Sequence, residues 1–327
     1  MKKVLELIIQ LFRFHKLKIF VIFVSAILFT ALLFPFSDLT DLVTAKILEG
    51  TGNQVLFQAD KLDVSLVPPV SLGGENVSVD VRQYPTIEAK KISIAPSVFS
   101  LISLAFGGNP NSINASIDAD GLMGGHVYIS HKPDGSNDEG AKKNRVTVEA
   151  DSVQIGEIQN FLDLPIAIQG KANLNATVSF YPNFDGQPEG EVQLSSKGIK
   201  IPPGTIPTQF GPIPMPGVSW SQLALKTHMG GSNLYLDDVS FGSAKDPMSG
   251  RVKGQMNVRV DRNGAILGAY DVRIELNVTA NAEKDLDTLL ILLKDFRQAT
   301  PQGGKYVFRV NAQSANAQPN LGRLQTF

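Results

Sequence analysis

Along much of this chain apolar and polar residues alternate one for one, and no other pattern restricts the possible folds so strongly. Over 171–180, Ala172, Leu174, Ala176, Val178 and Phe180 alternate with Asn173, Asn175, Thr177 and Ser179. Over 251–261, Val252, Met256, Val258 and Val260 alternate with Arg251, Lys253, Gln255, Asn257 and Arg259, and 271–280 repeats the pattern with Val272, Ile274, Leu276 and Val278. Shorter versions lie at 55–57, 62–66, 77–81, 87–94, 113–119, 127–129, 146–150, 192–194, 223–225 and 306–312. Successive side chains of a strand point to opposite faces, so each such strand is dry on one side and wet on the other. The expected fold is mainly β: a long, single-faced antiparallel sheet with a few short helices. With 29 Gly, 19 Pro and only 19% charged residues, the chain suits many turns and a surface of Asn, Ser, Thr and Gln.

Helical spacing is confined to short stretches. Leu39, Leu42, Val43, Lys46 and Ile47 mark a helix over 39–48 that Gly50 and Gly52 stop. Three strand–helix–strand passages follow with loosely matched spacing. The first has a strand at 91–94, a helix over 97–106 between Pro96 and Gly107-Gly108, and a strand at 113–119. The second has 146–150, a helix near 155–162 and a strand over 165–180. The third has 271–280, a helix over 283–298 with Leu286, Leu289, Leu290, Leu293 and Phe296 on one stripe, and 305–312. Residue identity among them is too low to mark a duplication. Segment 131–144 (HKPDGSNDEGAKKN) is polar and turn-forming, and a mobile hairpin loop is expected there. Segment 201–218 carries six prolines. Pro212, Pro214 and Pro216 exclude a central strand and favour a polyproline or edge conformation.

The N-terminus has a different character. The apolar run 19–36 (IFVIFVSAILFTALLFPF), at ~1.5 Å rise per residue, approaches the ~30 Å hydrocarbon core of a bilayer. Ile19, Phe20, Val21, Phe23, Ile27, Leu28, Leu32 and Phe34 would face lipid as a single membrane anchor. Lys2, Lys3, Arg13, Lys16 and Lys18 precede it, and Asp38 and Asp41 follow. Basic flanks stay on the cytoplasmic side, so 1–18 is expected there or at the interface, and 37–327 on the far side as one β-rich domain. A cleaved signal peptide, with small residues at Val43-Thr44-Ala45, is the competing reading. Its apolar region would normally span only about 7–15 residues, and here 4–14 ahead of the run is already largely apolar.

Chemistry is sparse. The chain has no cysteine, which excludes disulfides, thiolate metal sites and Cys nucleophiles and suits an oxidising compartment. His15, His126, His131 and His228 have no partner at zinc-ligand spacing. Asp134, Asp138 and Glu139 lack the ligand spacing of a calcium loop. Phosphate-loop, dinucleotide and nucleophile-elbow motifs are absent. Gly121–Gly125 (GLMGG) reads as a tight turn feeding 126–130, and Trp220 as a strand anchor. The net charge of −1, with basic residues interspersed among acids, gives no stripe for nucleic acid. No enzyme activity, cofactor or metal is expected.

Residues 45–81 (AKILEGTGNQVLFQADKLDVSLVPPVSLGGENVSVDV) carry a resemblance. A helix ending in Leu48 and Thr51-Gly52, two strands, the second followed by prolines, and then Leu72 with Asn76-Val77-x-Val79 resemble the opening of AsmA-like domains. The glycine step at 121–125 is similar to one between strands of that superfamily. Overall size, the single N-terminal anchor and the closing stretch 304–321 resemble the type II secretion system protein N family; the proline-rich segment and the loop at 131–144 depart from it. The resemblance implies a non-enzymatic, single-pass bacterial inner-membrane subunit whose periplasmic domain associates with other secretion components. Ile206, Phe210, Pro212, Ile213, Pro214, Met215, Pro216 and Trp220 are the candidate docking residues, beside the unpaired edges of the sheet. A rigid connection crossing the sheet end is the plainer reading of the prolines. The second expectation is lipid handling. A dry face this long needs a cover, and a curved sheet could hold an acyl chain in a groove, as AsmA-like proteins resemble lipid bridges, or fold onto itself as a sandwich.

Overall fold

The computed structural model describes residues 40–65, 70–82, 85–97, 100, 114–136, 142–162, 167–208, 211–261, 264–314 and 317–323, together with Val21, Ser25 and Phe29. Its alternating segments join one 16-stranded sheet. The strands are β1 (Val55–Gln58), β2 (Lys61–Ser65), β3 (Ser71–Val81), β4 (Ile87–Pro96), β5 (Ala115–Leu122), β6 (Gly125–Ser136), β7 (Lys142–Gln154), β8 (Gln169–Phe180) and β9 (Glu189–Ile201). After a detached hairpin, β10 (Gly204–Thr208) and β11 (Gly211–Met215), the sheet resumes with β12 (Val218–Gly230), β13 (Asn233–Phe241), β14 (Met248–Asp261), β15 (Gly264–Thr279), β16 (Arg297–Thr300), β17 (Gly303–Ala312) and β18 (Asn320–Gly322). Each long strand pairs antiparallel with the next in the sheet, as single-faced alternation requires.

Both margins of the sheet are dressed in the same way. β1 and β2 share the outer edge of β3, and β16 and β18 share the outer edge of β17. These strands are 3 to 5 residues long. Short, interrupted margins offer little ladder to an incoming strand, so the expected long unpaired edges are blunted.

Helix α1 (Thr40–Gly50) ends where Gly52 and Asn53 adopt φ of 62°, with the Asn53 amide donating to the Leu48 carbonyl at 2.8 Å. Thr44 Oγ1 donates to the Phe57 carbonyl at 2.7 Å and seats α1 on β1. Helix α2 (Ile155–Leu162) matches the sequence expectation. The helix expected over 283–298 does not run through. It breaks into α3 (Ala280–Asp285), α4 (Asp287–Leu290) and a 3-10 turn (Ile291–Phe296), and Arg297–Thr300 becomes β16. Pairing Arg297 opposite Tyr306 requires the chain to leave helical geometry by Phe296. The predicted stripe survives the breaks: Leu286, Leu289, Leu290, Leu293 and Phe296 all pack into one cluster with Val278, Ala282, Tyr306 and Phe308.

The loop expected over 131–144 is also shorter than the sequence implied. β6 continues to Ser136 and β7 begins at Lys142, with His131 opposite Val146 and Pro133 opposite Asn144. Asp134 holds this extension down: it accepts a 2.6 Å bond from Ser179 and pairs with Arg145 at 2.7 Å. Of the helix expected over 97–106, Ser97 is not helical, its amide donating to the Asn114 carbonyl at 2.8 Å, Ser100 is helical and buried, and the rest lies outside the described residues. The anchor expected over 19–36 likewise lies outside them, except that Val21, Ser25 and Phe29 are helical and exposed. Among the described residues no helix is long and apolar enough to cross a membrane.

The described core is not one mass. The cluster just named closes one end of the sheet, and a second gathers Val127, Ala150, Val153 and Ala172 under α2. Between them the dry-face residues of β9 and β12–β14 are mostly half-buried. One glycine inside these strands is fixed by its backbone. Gly254 has φ of 153°, and a Cβ there would run into the Asp271 carbonyl of the neighbouring strand. Gly254→Ala is expected to cost about 1–3 kcal/mol in the unfolding free energy measured by denaturant titration.

Candidate functional site

The pairing register shows what the sequence alone could not: the dry positions of successive strands line up into rows. Leu62, Gly74, Ile92, Ala119, Val127 and Ala150 stand directly opposite one another from β2 to β7. The same row continues through Leu174, Leu194, Leu225, Val239, Val252, Ile274 and Phe308 to β17. No polar side chain interrupts it. At ~4.8 Å per strand it runs about 60 Å across the sheet.

Two residues along each strand lies a second row. It runs from Leu72 through Ile94, Ile117, Ile129 and Val148 to Val272 and Val310, with Thr227 as its polar member. A third passes through Val146, Val178, Met229, Leu234, Met256 and Tyr270, with His131 as its polar member. Three rows about 7 Å apart, the longest about 60 Å, make one apolar strip. Leu62, Ala119, Val127, Ala150 and Phe308 on it are buried, and from Leu174 to Ile274 its first row is half-buried.

The reverse face is the opposite in character. There Ser93, Asp118, Tyr128, Glu149, Asn175, Gln193, Lys226 and Asp238 form the corresponding row. A polar cavity of about 500 Å³ lies on this wet side, lined by Ser240, Arg251, Glu275 and Asn277 among others. It bears no relation to the apolar strip, and its ion pairs are those of a solvated sheet.

The two strand ends that border the long sides of the strip differ. β7 runs into α2 and β15 into α3, and their shared register puts both exits at one end. That end is therefore helical. The other end carries the β8–β9, β12–β13 and β14–β15 connections. The helical end is fastened by Glu283, whose carboxylate accepts from Arg297 Nε at 2.8 Å, Arg297 Nη2 at 2.9 Å and Tyr306 Oη at 2.6 Å. Hydrogen bonding from Arg297, opposed by burial, holds Glu283 below the usual carboxylate range. Burial first, then the hydrogen bond to Glu283 and its charge, push the Tyr306 phenol up to about 12. The clamp ties α3 to β16 and β17 and keeps the terminal cluster over the strip.

The docking candidates named from sequence share a region but form no site. Ile206 lies on β10 opposite Ile213 of β11, Pro212 faces Pro207, and Pro214 and Met215 pair with Thr205 and Gly204. As expected, the prolines enter no central strand. Pro216 lies between β11 and β12, and Phe210 is outside the described residues. Trp220 sits on β12 opposite Ile199, its ring 4.9 Å from that of Phe241 and its Nε1 buried without an acceptor. Of the anchor residues, Val21 alone is described, and it is 53% exposed. Among the described residues no group of His, Asp or Glu could hold a metal. No protein-family model, curated protein or solved structure matches the chain.

Proposed function

We propose that this protein binds lipid acyl chains along the apolar strip, as a non-enzymatic component of a cell envelope. One observation carries the reading: a row of apolar positions crosses the sheet from Leu62 to Phe308 without a polar side chain, flanked by two rows nearly as dry. At ~25 cal/mol per Å², the half-exposed aliphatic side chains from Leu174 to Ile274 left in water are an unfavourable term, and an acyl chain laid across the strands offsets it. Half-exposed aliphatic side chains without fixed polar groups select for hydrocarbon rather than for a head group. The apolar run 19–36 fits this role, as a tether holding the domain beside the bilayer that supplies the lipid.

The test is extraction of the full chain from membranes in mild detergent, followed by mass spectrometry of the bound organic phase. Wild-type protein is expected to retain acyl lipid in fixed stoichiometry. The pair Leu194→Asp with Leu225→Lys wets the middle of the row while giving the two opposed positions complementary charges. It should lose most of that lipid and still fold. Wild-type protein free of lipid, or a double variant that binds as well as wild type, would overturn the reading.

A second reading, a subunit of a secretion assembly, is favoured by the hairpin β10–β11. It stands apart from the main sheet and exposes Pro214. Crosslinks from 201–220 to secretion-platform subunits, with no lipid on the strip, would support this reading over the first.

A further inference from the structure

The hairpin β14–β15 outgrows the sheet. β13 pairs with β14 only as far as Asn257, and β17 pairs with β15 only as far as Tyr270. Beyond those positions the two strands continue as a ribbon, with Val258 opposite Leu267, Arg259 opposite Ile266 and Val260 opposite Ala265. At ~3.4 Å per residue it extends on the order of 15 Å. Its base is held by the Asn257 side chain, which donates to the Ser232 carbonyl at 3.0 Å. Farther out, the Gln187 amide grips one backbone unit from both sides. Its Nε2 donates to the Val260 carbonyl at 3.1 Å, and its Oε1 accepts from the Val260 amide at 2.8 Å.

Elsewhere the reverse face is mostly polar, Val307 opposite Glu275 being an exception, but at this tip exposed apolar side chains stand on both faces. Val258, Val260, Ala265 and Leu267 continue the apolar face past Met256 and Tyr270, while Ile266 occupies the reverse face. Ile266 is 55% and Leu267 40% exposed. A protein partner seated on one face would leave the other in water, whereas a hydrocarbon boundary surrounds both. We infer that the β14–β15 tip inserts into the interfacial layer of a lipid bilayer, placing one long side of the apolar strip against the acyl region. Insertion to about 5–10 Å keeps within reach of head groups and water those ribbon-edge groups that Ser232 and Gln187 do not already pair. The exposed Arg259 beside Ile266 can lay its stem along lipid and give its guanidinium to phosphate. Asp261 is at the turn, where depth is limited to that layer.

This inference deepens the acyl-binding reading by naming where hydrocarbon would enter, and the experiment separates the two. The chain contains no cysteine, so Ile266→Cys and Leu267→Cys each give a unique labelling site. The full chain, labelled with an environment-sensitive fluorophore, is incorporated into phosphatidylcholine–phosphatidylglycerol vesicles carrying a small fraction of spin-labelled lipid. Both tip labels are expected to shift to the blue and lose most of their emission to the quencher, while a label at Asn175→Cys on the wet face should do neither. Retained emission at the tip overturns the inference, and so does a blue shift without quenching, which would place a protein surface or a second copy there. The lipid content of the same samples is measured in parallel. Bound lipid without tip quenching removes the tip proposal alone; tip quenching without bound lipid removes the acyl-binding reading and leaves the tip in the bilayer.

Discussion

Phe308→Ala is expected to lower the unfolding free energy by about 3–5 kcal/mol, the usual cost of emptying a buried aromatic site. Phe308 is 5% exposed and lies in both halves of the architecture, as the last member of the long apolar row and as a wall of the cluster under α3 and α4. Its ring lies 5.7 Å from that of Phe296, the residue at which the 3-10 turn gives way to β16. Losing it opens a void that neither the sheet ladder nor the short helices can close without breaking other contacts. The unfolding midpoint in urea, followed through the single tryptophan, measures the effect. A loss under about 1 kcal/mol would mean that the terminal cluster does not hold this end together.

Glu283→Gln is expected to cost about 2–3 kcal/mol at neutral pH, because the charged acceptor of two guanidinium donors and a buried phenol is replaced by a neutral amide. The pH dependence has a definite sign. The folded pKa of Glu283 is depressed, so its stabilisation is fully present above the unfolded carboxylate pKa and is lost as pH falls through the folded value. Wild-type and variant stabilities should therefore converge in acid. Asp271 is held down by Arg309, Asp246 by Ser221 and Asp134 by Ser179, so the variant keeps a shallower acid sensitivity of its own. Denaturation midpoints across a pH series give the answer, and parallel wild-type and variant curves would exclude the clamp as an acid-sensitive fastening.

Much of the fold was written in residue alternation, and the places where it was not have physical causes. β8 and β14 keep strict parity, as β15 does from Tyr270 onward, and these could be read directly. β13 could not: a bulge lies between Leu236 and Val239, and Asp237-Asp238 there shifts the apolar set by one. The helix over 283–298 was read as continuous because its stripe has the right period, yet pairing of Arg297 with Tyr306 overrides local propensity. The polar segment 131–144 looked like a loop because composition cannot register that Asp134 will meet Ser179 from a strand across the turn. The apolar strip was legible only as a dry face. Its continuity depends on which residue opposes which, and no single strand contains that information. The tip at Ile266 and Leu267 did leave a trace, since Ala265-Ile266-Leu267 breaks the alternation with three apolar residues in succession.

The paired short strands at both margins also make the sheet a counted object. Because β1 with β2 and β16 with β18 terminate it, its span is set by how many hairpins the chain encodes rather than by how many copies associate. Inserting one further antiparallel pair between interior strands would lengthen the reach by about 10 Å and leave every existing register intact. The distance the sheet covers is thereby written into the chain's own hairpin count.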